Sequence, residues 1–225
     1  MSGMCGRFTL RTSVPEIAKE FGLAGVPDLS PRYNIAPTQP VAAVRLDASR
    51  QRRCVDLHWG LIPAWAEDPT IGNRLINARG ETVSSKPAFR QAFQRRRCLV
   101  VADGFFEWQN VSGGKRPHYI RLKEDRPFGF AGLWERWQRG DQMIESCTII
   151  TTEPNTLMQP IHDRMPVILD PAAYDLWLDP EVRSGQKLED LLRPYPADRL
   201  EAFPVGTVVN NPRNDVAECI LRLHA

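Results

Sequence analysis

The segment Cys98-Leu99-Val100-Val101-Ala102-Asp103-Gly104-Phe105-Phe106-Glu107-Trp108 decides how this chain is read. Its first five residues are an apolar run of the length that fills a buried strand. The rest ends that run and sets one carboxylate among three aromatic side chains. Downstream, residues 119–122, 128–134, 147–151 and 166–169 repeat the apolar pattern with turn residues between them. Upstream, residues 41–46 and 54–59 read as a hairpin joined by the polar turn 47–53. Helical patterns fall at 14–21, 86–94, 171–177 and 186–192, and residues 22–40, rich in proline and polar side chains, read as a long loop. Phe203-Pro204-Val205 leads into a closing segment at 208–210. Strands in hairpin-like succession with helices interspersed predict one α+β domain over residues 1–225, with a strongly curved, mainly antiparallel β core and short peripheral helices.

Composition narrows the class. The chain has 225 residues, 42% hydrophobic and 25% charged, as in an ordinary globular protein. It has no apolar run of about 18 residues and no signal-peptide pattern, so the expectation is no membrane span and a cytoplasmic location. Cys5, Cys54, Cys98, Cys147 and Cys219 are dispersed without a CxxC pair, which argues against a disulfide framework and a zinc knuckle. His58, His118, His162 and His224 make no ligand spacing, so no metal and no cofactor are expected. A net charge of +2 does not by itself declare a nucleic-acid partner. The basic residues are uneven, however: Arg45, Arg50, Arg52 and Arg53 cluster, as do Arg90, Arg95, Arg96 and Arg97. The Arg95-Arg96-Arg97 run reads equally as a solvated helix end or a phosphate contact.

Four short motifs carry candidate chemistry. Met4-Cys5-Gly6-Arg7-Phe8 opens either a buried strand or, if Cys5 becomes the first residue, a site with a free amine beside a thiol. That pair condenses with an aldehyde to an imine and then closes a five-membered thiazolidine. An α-amine with a pKa of about 8 is substantially neutral at pH 7, which a lysine at about 10.4 is not. Because Met1-Ser2-Gly3 precedes Met4, the active form is expected to lack residues 1–4. Glu107, flanked by Phe105, Phe106 and Trp108, is either a general acid/base in desolvated surroundings or a buried partner of an arginine such as Arg79. His162, in Pro160-Ile161-His162-Asp163-Arg164-Met165-Pro166, is either a proton shuttle or a loop histidine bonded to Asp163. Asn77 and Arg79, two apart on an extended segment, face one side and suit a phosphate. Trp59 and Trp134 read as core, whereas Trp65 is the exposed candidate for stacking on a base.

Taken in order, these motifs with Tyr33-Asn34-Ile35-Ala36-Pro37-Thr38, His58-Trp59-Gly60-Leu61-Ile62-Pro63-Ala64-Trp65 and Ile76-Asn77-Ala78-Arg79-Gly80-Glu81-Thr82 resemble the SRAP family, the SOS response-associated peptidases. Val209-Asn210-Asn211-Pro212 fits as well. The resemblance implies a single SRAP domain, acting as a monomer in the bacterial cytoplasm and at the nucleoid when bound to DNA. Its partner is single-stranded DNA containing abasic sites, and its chemistry is a thiazolidine crosslink to the lesion aldehyde, with AP lyase and autoproteolytic side activities. It assigns Cys5 as nucleophile, Asn77 to positioning, Glu107 as acid/base and His162 to ring closure and reversal. It assigns Arg7, Asn34, Trp65, Arg79 and Arg164 to DNA. A cysteine-type peptidase using the same cysteine is the alternative.

Overall fold

The apolar run at 98–102 is a strand, Arg97–Ala102, and all six of its residues are buried, as suits a strand covered on both faces. The computed structural model describes residues 6–183 and 185–223. Among these the chain runs β1 (Phe8–Leu10), α1 (Val14–Phe21), β2 (Arg32–Ile35), β3 (Pro40–Leu46), β4 (Arg52–Trp59) and β5 (Asn77–Arg79). It continues through α2 (Arg90–Arg95), β6 (Arg97–Ala102), β7 (Gly104–Val111), β8 (Gly114–Leu122), β9 (Phe128–Arg139) and β10 (Gln142–Thr152). It ends with β11 (Met165–Pro166), β12 (Ile168–Leu169), α3 (Tyr174–Leu178), α4 (Gln186–Glu189) and β13 (Leu200–Pro204).

The curvature expected of the sheet goes as far as closure. Strands β4, β3, β6, β9 and β10 pair in that order, and β10 pairs back onto β4. The 12-residue β9 makes this possible by pairing with β6 along its first half and with β10 from Gly132 onward. At that switch a Cβ on Gly132 would lie 2.9 Å from the Cys98 sulfur, so only glycine lets the strands pass so closely. Two pairings of β10, with β4 and with β5, are parallel.

A second sheet, β13-β8-β7-β1-β2, is antiparallel throughout and packs on the barrel. Phe8 sets its ring 5.1 Å from Trp59 and 5.8 Å from Phe130. Alternation along β7 sends Phe105 into this main core and Phe106 into a smaller cluster with Tyr119, Phe203, Val209 and Cys219. The Gly104–Trp108 motif is therefore the first part of a strand, not the end of one. Adjacent apolar residues serving two cores hide the alternation that would have announced it. Likewise the expected loop 22–40 contains β2, whose Arg-Tyr-Asn-Ile sequence has no apolar period because it pairs with β1 alone.

β1 is held in register by a buried carboxyl group. Asp103, between β6 and β7, accepts from Thr9 Oγ1 at 2.5 Å, Arg11 N at 2.5 Å, Thr12 N at 2.8 Å and Thr12 Oγ1 at 2.8 Å. Thr9 Oγ1 also lies 2.8 Å from the Tyr119 hydroxyl, which occupies the space a side chain at Gly104 would need. α1 is started by Glu16, whose carboxylate accepts from both the backbone N and the hydroxyl of Ser13.

Candidate active site

The start of β1, the middle of β7 and the loop before β11 converge on one groove of about 380 Å³, lined by Gly6, Arg7, Glu107, Trp108, Lys115, His162 and Asn210. Cys5, joined to Gly6 by a peptide bond, and the leader at 1–4 lie outside the described residues. Glu107 is 1% exposed, and its Oε2 stands 3.9 Å from Nε2 of His162. His162 sits at the end of a turn in which its own N–H donates to Met158 O. Gln109 Nε2, two residues along β7 from Glu107, donates to Pro160 O at 3.0 Å and ties that turn to the strand.

The imidazole orientation follows from its neighbours. The backbone N–H of Arg164 donates to Nδ1 at 3.1 Å, and Nε2 is the nitrogen that faces Glu107. Asp163 Oδ1 also lies 3.1 Å from Nδ1 and forms an ion pair with the ring when it is protonated, the contact expected of a loop histidine bonded to Asp163.

Arg7 is built into the groove wall. Its NH1 donates to Asn34 Oδ1 at 2.8 Å and to Val209 O at 2.7 Å, and its guanidinium lies 5.5 Å from the centre of the Trp108 ring. Burial lowers its pKa from the usual arginine value. Asn34, expected to touch DNA, is 0% exposed, and its amide donates to the carbonyls of Val209, Asn211 and Asn214. It is out of reach of a ligand and instead fastens the segment that carries Asn210, whose Oδ1 accepts from Trp108 Nε1 at 2.7 Å.

The groove continues beyond His162. A cavity of about 520 Å³ joins His162 to Arg79, and one of about 400 Å³ joins Arg79 and Asn77 to Arg74, Lys86 and Trp65. Asn77 and Arg79 flank the buried Ala78 on β5, so they share a face as their spacing predicts. Trp65 is 58% exposed, whereas Trp59 is buried and Trp134 half-buried beneath Arg45. Arg164 departs from expectation: it makes a bidentate pair with Glu81 and donates to Thr151 O at 2.7 Å, with only 14% of its side chain exposed. That pair, through the bond from Arg164, holds Glu81 below the usual carboxylate range.

The other thiols are silent. Burial pushes Cys54 up to about 11, Cys98 up to about 12 and Cys147 well above its usual value, and it raises Cys219 too. No cluster of three or more potential metal ligands occurs among the described residues, and no helix there is long and apolar enough to cross a membrane. Lys115 and Asn210 are groove residues that the motifs alone did not single out, whereas Trp108 stands in the Gly104–Trp108 motif. Asn210 sits in the Val209-Asn210-Asn211-Pro212 motif, which was the available signal.

Relatives fit this geometry. The chain is 45% identical over 222 residues to the abasic site processing protein YoaM of Bacillus subtilis, covering 96% of this chain and 97% of YoaM. It is 34% identical to the abasic site processing protein HMCES of Xenopus tropicalis, over 84% of this chain and 65% of that protein. A crystal structure of a protein from Bacteroides thetaiotaomicron superposes with a TM-score of 0.86 at 28% identity, covering 98% of this chain and all of that one. The family model described as SOS response associated peptidase matches residues 4–212, and the chain belongs to that family, SRAP.

Proposed function

We propose that this protein processes abasic sites in single-stranded DNA by capturing the ring-opened sugar aldehyde on Cys5. The observation that carries the reading is that Gly6, the neighbour of Cys5, shares one groove with Glu107 and His162. The names of the relatives point the same way. In the proposed sequence the Cys5 amine adds to the aldehyde carbon to give a carbinolamine. The hydroxyl leaves as water with a proton supplied by Glu107, giving a protonated imine. The Cys5 thiolate then adds to the same carbon, the C=N electron pair returns to nitrogen, and the neutral thiazolidine is complete. His162, with its Nε2 toward Glu107, serves ring closure and reversal. Because amine and thiol belong to one residue, the second addition gains the effective concentration of an intramolecular reaction. An imine that fails to close promotes β-elimination of the strand, a lyase side reaction. Asn77 positions the sugar, Arg7 and Arg79 meet phosphates and Trp65 stacks on a base, while Asn34 acts through Arg7.

The test is incubation of protein beginning at Cys5 with a single-stranded oligonucleotide carrying one abasic site. A species that survives denaturation without reductant is expected, and Cys5→Ala should not form it. An equal yield of that species from Cys5→Ala removes the thiol from the mechanism. The family description keeps a cysteine-type peptidase as the second reading. It requires release of residues 1–4 by the unprocessed chain in the absence of DNA, and no adduct.

A further inference from the structure

We infer that the strand path does not end at Trp65: the indole is a fixed partition, and beyond it a second nucleotide subsite on α2 takes the next phosphate on Arg90. The inference rests on the function proposed for this groove. Trp65 and Pro87 line two cavities at once. The first, of about 400 Å³, is the stretch of groove that holds Arg74, Arg79 and Lys86. The second, of about 320 Å³, holds Arg90, Gln91 and Gln94 of α2. Trp65 is 58% exposed and borders both spaces, so bases on either side of it can stack on the indole. Gln91 and Gln94, three apart on α2, share a face, and each amide carries both donors and an acceptor, which suits bases of any sequence. Arg90 and Arg95 are both exposed and enter no ion pair among the described residues, but Arg90 lines the cavity and Arg95 does not. A guanidinium left without a carboxylate at the end of a cationic groove is the group that a phosphate meets next.

The loop that carries Trp65 is held on both sides of it. Before it, Ile62 N donates to Oγ of the buried Ser146 at 2.8 Å. After it, Ala66 O accepts from Trp137 Nε1 at 2.8 Å and from Arg139 NH2 at 3.3 Å. Ile62, Ala66 and Trp137 are buried together, with Ile71 and Ile144 packed against them. Ser146, Trp137 and Arg139 all belong to the β9–β10 hairpin, which therefore splints the loop. A surface that is already ordered loses less conformational freedom on binding, so more of the stacking free energy is retained.

The experiment has three readouts on protein beginning at Cys5. The first is the salt dependence of binding to a long undamaged single-stranded oligonucleotide. Arg90→Ala should flatten the slope by about 0.7, and Arg95→Ala, which removes the same charge from the same helix, should keep it. The second is affinity for abasic-site oligonucleotides lengthened one nucleotide at a time on each side of the lesion. Parent and Arg90→Ala should bind the short ones equally and part at the length that passes Trp65. Trp65→Ala should weaken binding of the long ones about fivefold or more. The third, independent of DNA, is the NMR order parameter of the Trp65 backbone amide: about 0.85 in the parent, and below about 0.6 in Trp137→Phe and in Ser146→Ala. A parental slope in Arg90→Ala, or an equal flattening in Arg95→Ala, overturns the subsite. An amide that stays near about 0.85 in both loop variants overturns the fixed partition. A parent that gives no adduct but keeps the slope difference refutes the proposed function and leaves the subsite standing. Arg90 is exposed, so Arg90→Ala tests the subsite even if a loop variant fails to fold.

Discussion

Two sets of basic residues occupy this molecule in opposite ways. Most of those that cluster in sequence are neutralised in space: Arg45 pairs with Glu145, Arg50 with Asp179, Arg52 with Asp175, Arg53 with Asp47 and Arg96 with Glu135, whereas Arg90 and Arg95 are exposed and enter no ion pair among the described residues. Arg97 is buried, donating to the carbonyls of Phe93, Trp177 and Asp179, and burial lowers its pKa to about 10. Those that line the groove, Arg74, Arg79, Lys86 and Lys115, are scattered in sequence, exposed, and enter no ion pair among the described residues. A run of arginines is therefore not a basic surface. Local potential depends on which cations the fold leaves without a carboxylate, and a net charge of +2 is compatible with a positive groove.

The sharpest way to separate the groove from the rest is to remove its buried carboxyl group. Glu107→Gln should slow adduct formation by about 10²-fold or more while undamaged DNA binds as before. An unchanged rate would reduce Glu107 to a structural residue. Next in size is Asp103→Ala, which strands four donors of Thr9, Arg11 and Thr12, in β1 and just after it. A loss on the order of 3 kcal/mol or more is expected in denaturant unfolding. A loss below about 1 kcal/mol would mean that β1 is held by its apolar contacts alone.

The comparison itself is tested by salt. Lys115→Ala should flatten the salt dependence of single-strand binding by about 0.7, and Arg53→Ala should leave it unchanged. Equal slopes for the two would break the distinction between the faces. Arg53→Ala should also change stability by less than about 1 kcal/mol, the usual value of an exposed pair. The smallest expected effect concerns Glu81. Its pKa is lowered from an ordinary value of about 4.5, so the stabilisation by its pair is present above that value and lost as pH falls through the lower folded one. Unfolding curves of Glu81→Gln and the parent should therefore converge on acidification below about pH 4.5, and a gap that widens there would contradict the pairing.

The strands of the barrel were legible because each of 98–102, 128–134 and 147–151 is an apolar run facing a core. The pattern fades at 135–146, where the β9–β10 hairpin extends and its side chains turn polar. α1 was legible to the residue, since apolar period, cap and first-turn acid coincide. At 86–94 the helical signal was displaced: turns occupy 86–89 and the helix proper starts at Arg90, downstream of Pro87. Within the site, the spacing of Asn77 and Arg79 gave their shared face, and the loop around Trp65 gave its exposure. The burial of Asn34 and the pairing of Arg164 were not legible, because their partners are 175 and 83 residues away.

By itself, then, the sequence determined the elements and the cast of reactive residues, because strand period, turn chemistry and side-chain type are local properties. Only the tertiary structure decided which of those residues meet. Barrel closure brings β5 beside β10, the Asp103 bonds fix where β1 enters the groove, and Arg164 joins Glu81 across Thr151. Contacts between residues far apart in the chain depend on how sheets close and loops return, and no window of sequence contains both partners.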